Sequence, residues 1–359
     1  MKKLIGLWVL LFGLFCGAGV DAYSFPELQK GADLGDPYYQ ALLGAEYRRG
    51  EIVQRNFALA LQWLRQAEAQ NHPFAFYNLA TMHLQGMGLE QSKTQAIAYY
   101  QKAYKGMLEL AKKGDLEAQT DLGWMYEHCS CIGRNFKKAL FWYEKAASAG
   151  YARAQFNYAN LYFHGNGVSQ TYTESMKWYL RSAEQEYTPA QLKLAKMYQS
   201  GFGVEKNDSK AFEWLHRAAE LGNSEAQTQI SLMYHDGCGV EKNEQLAFQW
   251  NIKAAQQGNV RAQTNLGTMH QYGCGTALSA KDAFNWYLQA ADAGYAEAQV
   301  KLALMYETGE GVLQSDKEAL KWYRKALSSF LETDLTPKKD PEKDPGELGQ
   351  ELLFEDEFY

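Results

Sequence analysis

Apolar and small residues return with a fixed spacing through most of this chain. An alanine recurs every 36 residues from Ala118 to Ala298, and a tryptophan follows each of these alanines by 24 residues, from Trp142 to Trp322. After Ala190, apolar or small residues follow at steps of four, five, seven and eight, which is one face of a helix with 3.6 residues per turn. The pattern therefore predicts a helix, called helix A, at the start of each unit.

A glycine-rich stretch separates helix A from a second apolar face. In the unit that begins near Ala190, Gly201 and Gly203 interrupt the helical pattern, because glycine adopts positive φ where a chain reverses. Asn207 or Asp208 is placed to cap a second helix, helix B, and Gly222 is placed to end it. The predicted buried face of helix B carries Ala211, Trp214, Leu215, Ala218 and Ala219.

Repetition of this helical hairpin predicts the fold. Full units fit residues 37–72, 73–115, 116–151, 152–187, 188–223, 224–259, 260–295 and 296–331. Residues 23–36 look like the end of a unit and predict an N-terminal capping half-repeat. One hairpin cannot bury both of its faces, so each unit depends on its neighbours. We expect an all-α protein, an α/α superhelical solenoid of eight helix-hairpin repeats of about 36 residues.

The consensus itself resembles a known repeat. The pattern A-Q-x-x-L-G-x-M-Y-x-x-G-x-G-V, then N/D-x-x-x-A-x-x-W-Y-x-x-A-A-x-x-G, is seen with small departures from Ala262 to Gly294. It is similar to the Sel-1-like repeat, a relative of the tetratricopeptide repeat, over residues 37–331. The resemblance implies a solenoid that acts as an adaptor, scaffolding or regulating other proteins, with exported bacterial members often tied to envelope processes or host contact.

The N-terminal residues predict export. Lys2 and Lys3 precede an apolar run, which small residues connect to Val20-Asp21-Ala22. This arrangement is typical of a secretory signal peptide at residues 1–22, so we expect a periplasmic or secreted protein with no integral membrane segment after cleavage. An uncleaved membrane anchor and lipid attachment at Cys16 are the alternatives, although Phe15 stands where a lipoprotein signal has a small residue.

Charge is concentrated at the other end of the chain. Residues 332–359, an acidic linker and tail with three prolines, hold ten Asp or Glu against three Lys, whereas residues 23–331 are neutral overall. A neutral array argues against nucleic acid or an anionic membrane surface as a partner. The final stretch, 347–359, regains Leu and Phe among its acids. It is a cap on the last unit, a disordered tail, or a peptide motif that binds elsewhere, such as the protein's own groove.

Two units depart from the consensus. The spacing from Ala75 to Ala118 is 43 residues instead of 36, and the inserted residues keep a helical pattern. We expect a longer helix B in the second unit that projects past its neighbours, with a neutral insertion as the alternative. In the third unit, Cys129 and Cys131 replace the two glycines of the turn.

Four cysteines remain after the predicted cleavage, and exported cysteines tend to be oxidised. Candidate bridges are Cys129–Cys131 and Cys238–Cys274. The second pair lies at equivalent turn positions one repeat apart, about 10 Å for stacked helical pairs, whereas a disulfide requires Cα atoms within about 7 Å.

The resemblance to tetratricopeptide repeats implies a concave groove lined by helix A, at steps −1, +2, +6, +9 and +10 from the opening alanine. In the second to fourth units these steps are rich in aromatic residues, which contribute most to binding at protein interfaces. The alternative is that superhelical twist buries some of them between repeats. The candidate protein-binding residues are Tyr77, Trp124, Glu127, Arg153, Phe156, Asn160, Phe163 and His164.

No set of residues in the sequence matches a catalytic motif, so we expect neither enzymatic activity nor a cofactor. His128 and His164 occupy equivalent positions near Cys129 and Cys131, but their spacing matches no zinc finger and we predict no metal site. The leading hypothesis is a non-enzymatic exported adaptor that binds a protein or extended peptide in its groove, with its oligomeric state left open. The alternative is an envelope protein that binds or hydrolyses peptidoglycan fragments or β-lactams.

Overall fold

The computed structural model describes residues 23–50 and 53–334, which form seventeen α-helices and no strand. The helices are α1 Phe25–Asp33, α2 Pro37–Arg49, α3 Phe57–Ala69, α4 Pro73–Gln85, α5 Lys93–Lys112, α6 Leu116–His128, α7 Phe136–Ser148, α8 Ala152–His164, α9 Tyr172–Ala183, α10 Thr188–Ser200, α11 Asp208–Glu220, α12 Ser224–Asp236, α13 Glu244–Gln256, α14 Val260–Tyr272, α15 Ala280–Asp292, α16 Ala296–Thr308 and α17 Asp316–Asp334. The described residues divide into two compact units, one up to residue 187 with α1–α9 and one from residue 188 with α10–α17.

The predicted all-α solenoid of eight helical hairpins is confirmed. The even-numbered helices α2 to α16 are helices A, each 13 residues long, and the odd-numbered helices α3 to α17 are helices B. Asn207 caps α11 as its side chain accepts a 2.9 Å hydrogen bond from the amide of Lys210. Gly201 turns the chain after α10 with a φ of 75°, and Gly222 follows α11 with a φ of 93°.

Small residues on helix A let helix B approach closely. In the third repeat, a Cβ added to Gly123 would lie 2.6 Å from the ring of Tyr143, so only glycine leaves room for this fully buried ring. The preceding helix B is joined to the same repeat through Gln119, whose buried amide donates a 2.9 Å hydrogen bond to the carbonyl of Ala111. Gln155, Gln227, Gln263 and Gln299 make the same bond from helix A to the preceding helix B, and Gln40 makes it to α1. The glutamine of the A-Q consensus therefore fastens one repeat to the one before it.

The Cys-Ser-Cys turn has its own geometry. Helix A of the other repeats ends at a glycine with positive φ, but α6 ends at Cys129 in an extended conformation, with a φ of −93°. A short 3-10 helix, Ser130–Ile132, follows, and Gly133 takes the positive φ of 79° instead. Cys129 and Cys131 form a disulfide across this turn. Cys238 and Cys274 are free, so the second candidate bridge is absent, as the separation of equivalent positions in stacked repeats requires.

The insertion lengthens α5 to 20 residues, which confirms the longer helix B predicted for the second repeat. The extra turns do not simply project, because Met107 and Ala111 are fully buried and α5 contacts the 3-10 helix after α6. The hydroxyl groups of Tyr104 and Tyr126 lie 2.8 Å apart at the same place. The insertion and the Cys-Ser-Cys turn thus form one packed region.

The predicted signal peptide, residues 1–22, and the tail from residue 335 onwards lie outside the described residues. The last helix, α17, extends to Asp334, three residues past the end of the repeat pattern at Leu331. Across the described part of the chain, no helix combines the length and the apolar character needed to span a bilayer.

Candidate functional site

The first three repeats do not leave an open groove along their helices A. The hydroxyl of Tyr38 on α2 donates a 3.1 Å hydrogen bond to Asp115, directly before α6, and Nη1 of Arg49 lies 2.9 Å from Oε1 of Glu117 on α6. These contacts pass over α4 and join the first repeat to the third. Beneath them, Tyr77 of α4 is 5% exposed and belongs to the hydrophobic core.

A buried ion network occupies this closed region. Arg153, at the start of α8, places Nη2 2.8 Å from Oε1 of Glu117 and Nη1 2.8 Å from Oδ1 of Asp121, both on α6. Tyr151 donates its hydroxyl to Glu117, and Arg49 also pairs with Glu46 on its own helix. Glu117 thus pairs with two guanidinium groups that come from different repeats, those of Arg49 and Arg153. The network fixes the relative positions of α2, α6 and α8.

The two carboxyl groups of the network have opposite pKa shifts. Burial, opposed by the charge of Arg153 and aided by that of Glu117, raises the pKa of Asp121 to about 6. Burial would also raise the pKa of Glu117, but Arg153 and Arg49 outweigh this effect and lower it to about 2. Glu117 is therefore the anionic centre of the network, and Asp121 is the group that gains a proton first as the pH falls.

Three of the candidate binding residues are buried, so the expectation that they face a groove is wrong. Tyr77 packs in the core, Glu127 accepts a 2.9 Å hydrogen bond from the hydroxyl of Tyr143, and Asn160 accepts one from Tyr179. The neighbouring repeat buries only Tyr77, whose ring lies 5.9 Å from that of Trp124, which is the alternative that the sequence left open. Glu127 and Asn160 instead turn towards helix B of their own repeats, where Tyr143 and Tyr179 bind them. The side chains of these residues position helices instead of meeting a partner.

The other candidates lie on neighbouring helices A and keep some exposure. Trp124 on α6 is half-buried and stacks on His128, with ring centroids 4.7 Å apart and planes inclined by 20°. On α8, Phe156 and Phe163 are half-buried and His164 is exposed, with the Phe163 and His164 rings 5.1 Å apart. We call Trp124, His128, Phe156, Phe163 and His164 the aromatic surface. Arg153 belongs to the ion network instead.

Sequence reasoning missed several members of the network. Tyr38 and Arg49 occupy steps −1 and +10 of the first repeat, so reading the groove positions there would have found them. Asp121 occupies step +3, which the pattern does not assign to the groove, and Tyr151 precedes α8. Only the contact between repeats reveals these two residues.

The aromatic surface offers ring faces and imidazole nitrogens, which suit binding. His128 Nδ1 lies 3.2 Å from the backbone carbonyl of Trp124, which fixes its ring against the indole. Among residues 23–50 and 53–334 no three His, Cys, Asp or Glu side chains are grouped as a metal site.

Solved structures with the same fold provide an independent comparison. The chain is similar to c5321, a protective antigen present in uropathogenic Escherichia coli strains that displays an SLR fold, with a TM-score of 0.58, 31% identity, and coverage of 85% of this chain and 64% of that one. It is also similar to a Sel1 repeat protein from Oxalobacter formigenes, with a TM-score of 0.56, 28% identity, and coverage of 85% and 87%. The chain spans less than two thirds of the Escherichia coli protein.

A curated relative shares a shorter region. The chitin synthase regulator SKT5 of Saccharomyces cerevisiae is 29% identical over 128 residues, which is 35% of this chain and 18% of that protein. The chain therefore spans less than a fifth of the length of this relative. The likeness carries no activity across to this chain.

The model of the Sel1 repeat family matches residues 37–72, 73–106, 116–151, 152–187, 188–223, 224–259, 260–295 and 296–329. The residues between the second and third matches, 107–115, fall on the extra turns of α5 and the loop after them. Sel1-repeat solenoids are generally non-catalytic scaffolds for protein interactions. Each of the eight matches coincides with one of the helical hairpins described above, and this chain belongs to the Sel1 repeat family.

Proposed function

We propose that this protein is a non-enzymatic adaptor that binds a protein or an extended peptide on the aromatic surface of α6 and α8. The observation that carries the proposal is the half-buried Trp124, stacked on His128 and held in place on a rigid support. A large ring that is already ordered loses little conformational entropy on binding, which is why such residues dominate interface energies.

The support beneath this surface strengthens the proposal. Arg153 ties α8 to α6 through Glu117 and Asp121, so the two helices that carry the aromatic surface are fixed relative to each other. Preorganisation of this kind lowers the cost of binding. The paired charges of the network also leave the surface without a large net charge, which favours a partner recognised by apolar and polar contacts over a strongly charged one.

We further propose that the protein acts outside the cytoplasm, in the periplasm or beyond the cell. The pattern of residues 1–22 supports export, as does the description of the similar Escherichia coli protein as a protective antigen. Sequencing the N-terminus of protein recovered from the envelope and culture medium tests this proposal. A chain that keeps residues 1–22 and stays in the cytoplasm would contradict it.

The binding proposal is tested by cross-linking the purified protein to an envelope extract from its own organism. Wild type, a Trp124→Ala/Phe163→Ala double variant and Phe141→Ala are compared, since Phe141 is an aromatic residue of α7, 56% exposed and outside the aromatic surface. We expect a specific cross-linked band with wild type and Phe141→Ala that is lost in the double variant. A loss of about 2–4 kcal/mol in binding free energy is typical for such central aromatic residues.

The same preparations distinguish the other outcomes. Far-ultraviolet circular dichroism checks that the double variant stays folded, and an unfolded variant would assign both rings to the core. Saturable binding or turnover of purified muropeptides, lost in the double variant, would favour a cell-wall ligand and contradict the adaptor proposal.

A further inference from the structure

The last repeat leaves uncovered a face that earlier repeats bury. In the seventh repeat, the ring of Phe284 on α15 packs against Tyr306 of the following helix α16, with centroids 5.5 Å apart, and Ala291 is buried on the same helix α15. The positions one repeat later are Leu320 and Leu327 of α17, which are 50% and 59% exposed. These two leucines lie where a following helix A would pack.

Other residues extend this uncovered face. Leu331 lies one turn beyond Leu327 on α17 and is half-exposed. On α16, Val300 is also partly exposed, whereas the equivalent Thr228 and Thr264 of earlier repeats are buried. We call Val300, Leu320, Leu327 and Leu331 the end face. Aliphatic side chains that stay exposed on the last repeat are costly to leave in water.

We propose that residues 347–359 dock on the end face of their own chain as an additional helix A. This segment contains 13 residues, the length of every helix A in the array. Leu348, Leu352 and Tyr359 are spaced by four and seven residues, which places them on one side of a helix. The docked segment therefore presents an apolar stripe to the end face.

Charge supports the same occupant. Residues 347–359 contain five acidic residues and no basic residue. Arg324 lies on the leucine stripe of α17, between Leu320 and Leu327, and its side chain is exposed. It makes no ion pair with any residue of the described range 188–334. Its position is taken by the apolar Leu288 in the preceding repeat. A basic residue at this place matches an acidic helix better than it matches another consensus repeat.

The connection is long enough. The segment follows residues 335–346, which can span roughly 40 Å when extended. The end face from Leu320 to Leu331 covers about 16 Å of helix α17. The segment therefore reaches the end face without a change in α17, and docking within one chain has a high effective concentration.

Hydrogen exchange of the full chain, followed by mass spectrometry, tests the proposal. We expect the amides of 347–359 to be protected in the wild type, and to exchange at least about ten-fold faster in Leu327→Glu and in Leu352→Glu. Leu313→Glu is the matched control, because Leu313 is 88% exposed in the loop before α17 and lies outside the end face. It should leave the protection of 347–359 unchanged.

Each other outcome overturns the inference. Unprotected amides at 347–359 in the wild type would mean that the segment does not dock. Protection that survives Leu327→Glu but not Leu352→Glu would place the segment on another surface. Protection that appears only with dimer formation in analytical ultracentrifugation would mean that a second copy covers the end face. Unchanged exchange of the buried core of α16 shows that the variants remain folded.

Discussion

Arg153 on α8 and Asp121 on α6 form a buried ion pair, with 2.8 Å between Nη1 and Oδ1. The same guanidinium reaches Glu117, so one side chain joins two carboxylates of the preceding repeat. Because both acids lie in a closed region, their charges depend on this arginine for compensation. The pair links the stability of the compact unit that contains α1–α9 to the position of α6 and α8, the helices that carry the aromatic surface.

Replacement of Arg153 by alanine should therefore be strongly destabilising. We expect a loss of about 3–5 kcal/mol in the free energy of unfolding, since the change leaves buried carboxylate charge without its partner. Urea denaturation measures this loss. Lys177→Ala is the control, because Lys177 pairs with Glu174 on the surface at 2.8 Å, and exposed pairs contribute less than about 1 kcal/mol. Equal effects of the two changes would contradict a structural role for the network.

Asp121 should give the first unit a distinct pH dependence. Its pKa is raised to about 6 in the folded protein, above the usual value of about 3.9 in an unfolded chain. Its contribution to stability is therefore complete below about pH 3.9 and is lost as the pH rises through 6. Relative to Asp121→Asn, the wild type should lose up to about 1.4 kcal/mol of stability per pH unit between these values.

The comparison with Asp121→Asn is needed because His72 titrates in the same range with the opposite sign. Burial lowers the pKa of His72 to about 4, so its contribution is present above about pH 6.5 and is lost as the pH falls. His72 remains in both proteins, and its effect cancels in the difference. Urea denaturation at several pH values from 4.5 to 7.5 gives the free energy of unfolding against pH for the wild type and for Asp121→Asn. Equal slopes for the two proteins would contradict the assignment to Asp121.

The buried glutamines should account for much of the coupling between repeats. Gln227 donates a 3.0 Å hydrogen bond to the carbonyl of Ala219 and accepts a 2.8 Å hydrogen bond from Gln257. Gln227→Ala should therefore lower the free energy of unfolding by about 1–3 kcal/mol, because it leaves buried polar groups without partners. Gln229→Ala, two residues along the same helix, removes only a contact with Glu225 and should change stability by less than about 0.5 kcal/mol. Thermal unfolding of both variants measures the two losses. Equal losses would contradict a specific role of Gln227 in joining neighbouring repeats.

The cysteines of the repeat region should react as two classes. Cys238 and Cys274 are free thiols, whereas Cys129 and Cys131 form a disulfide. Alkylation of the denatured protein without reduction should modify Cys238 and Cys274, and the other two should react only after reduction. Peptide mass spectrometry locates the adducts, and alkylation of Cys129 before reduction would contradict the bridge.

The repeat period predicted the helices and their pairing because both depend on local patterns. Alanine and tryptophan positions mark the faces, and Asn207 and Gly201 mark where helices begin and end. The insertion before Ala118 likewise predicted the longer α5. Its packing against the Cys-Ser-Cys turn was not predicted, since the two segments are separated in the sequence and meet only in the fold.

The candidate site was only partly predictable for the same reason. Trp124 and Phe163 were found from their steps on helix A, and both are half-buried on that face. Tyr77 was assigned to the same face, yet it is buried in the core with its ring 5.9 Å from that of Trp124 in the next repeat. A helical step gives the direction of a side chain relative to its own helix and does not give the distance to the next repeat.

The sequence by itself determined the repeat, the number of hairpins and the residues that form their apolar faces, because helix formation and amphipathic burial follow from local periodicity. The tertiary structure decided which of the inward residues are buried, which charges pair, and which face of the last repeat stays uncovered. Those outcomes depend on how closely successive repeats approach, a distance set by packing between residues far apart in the chain.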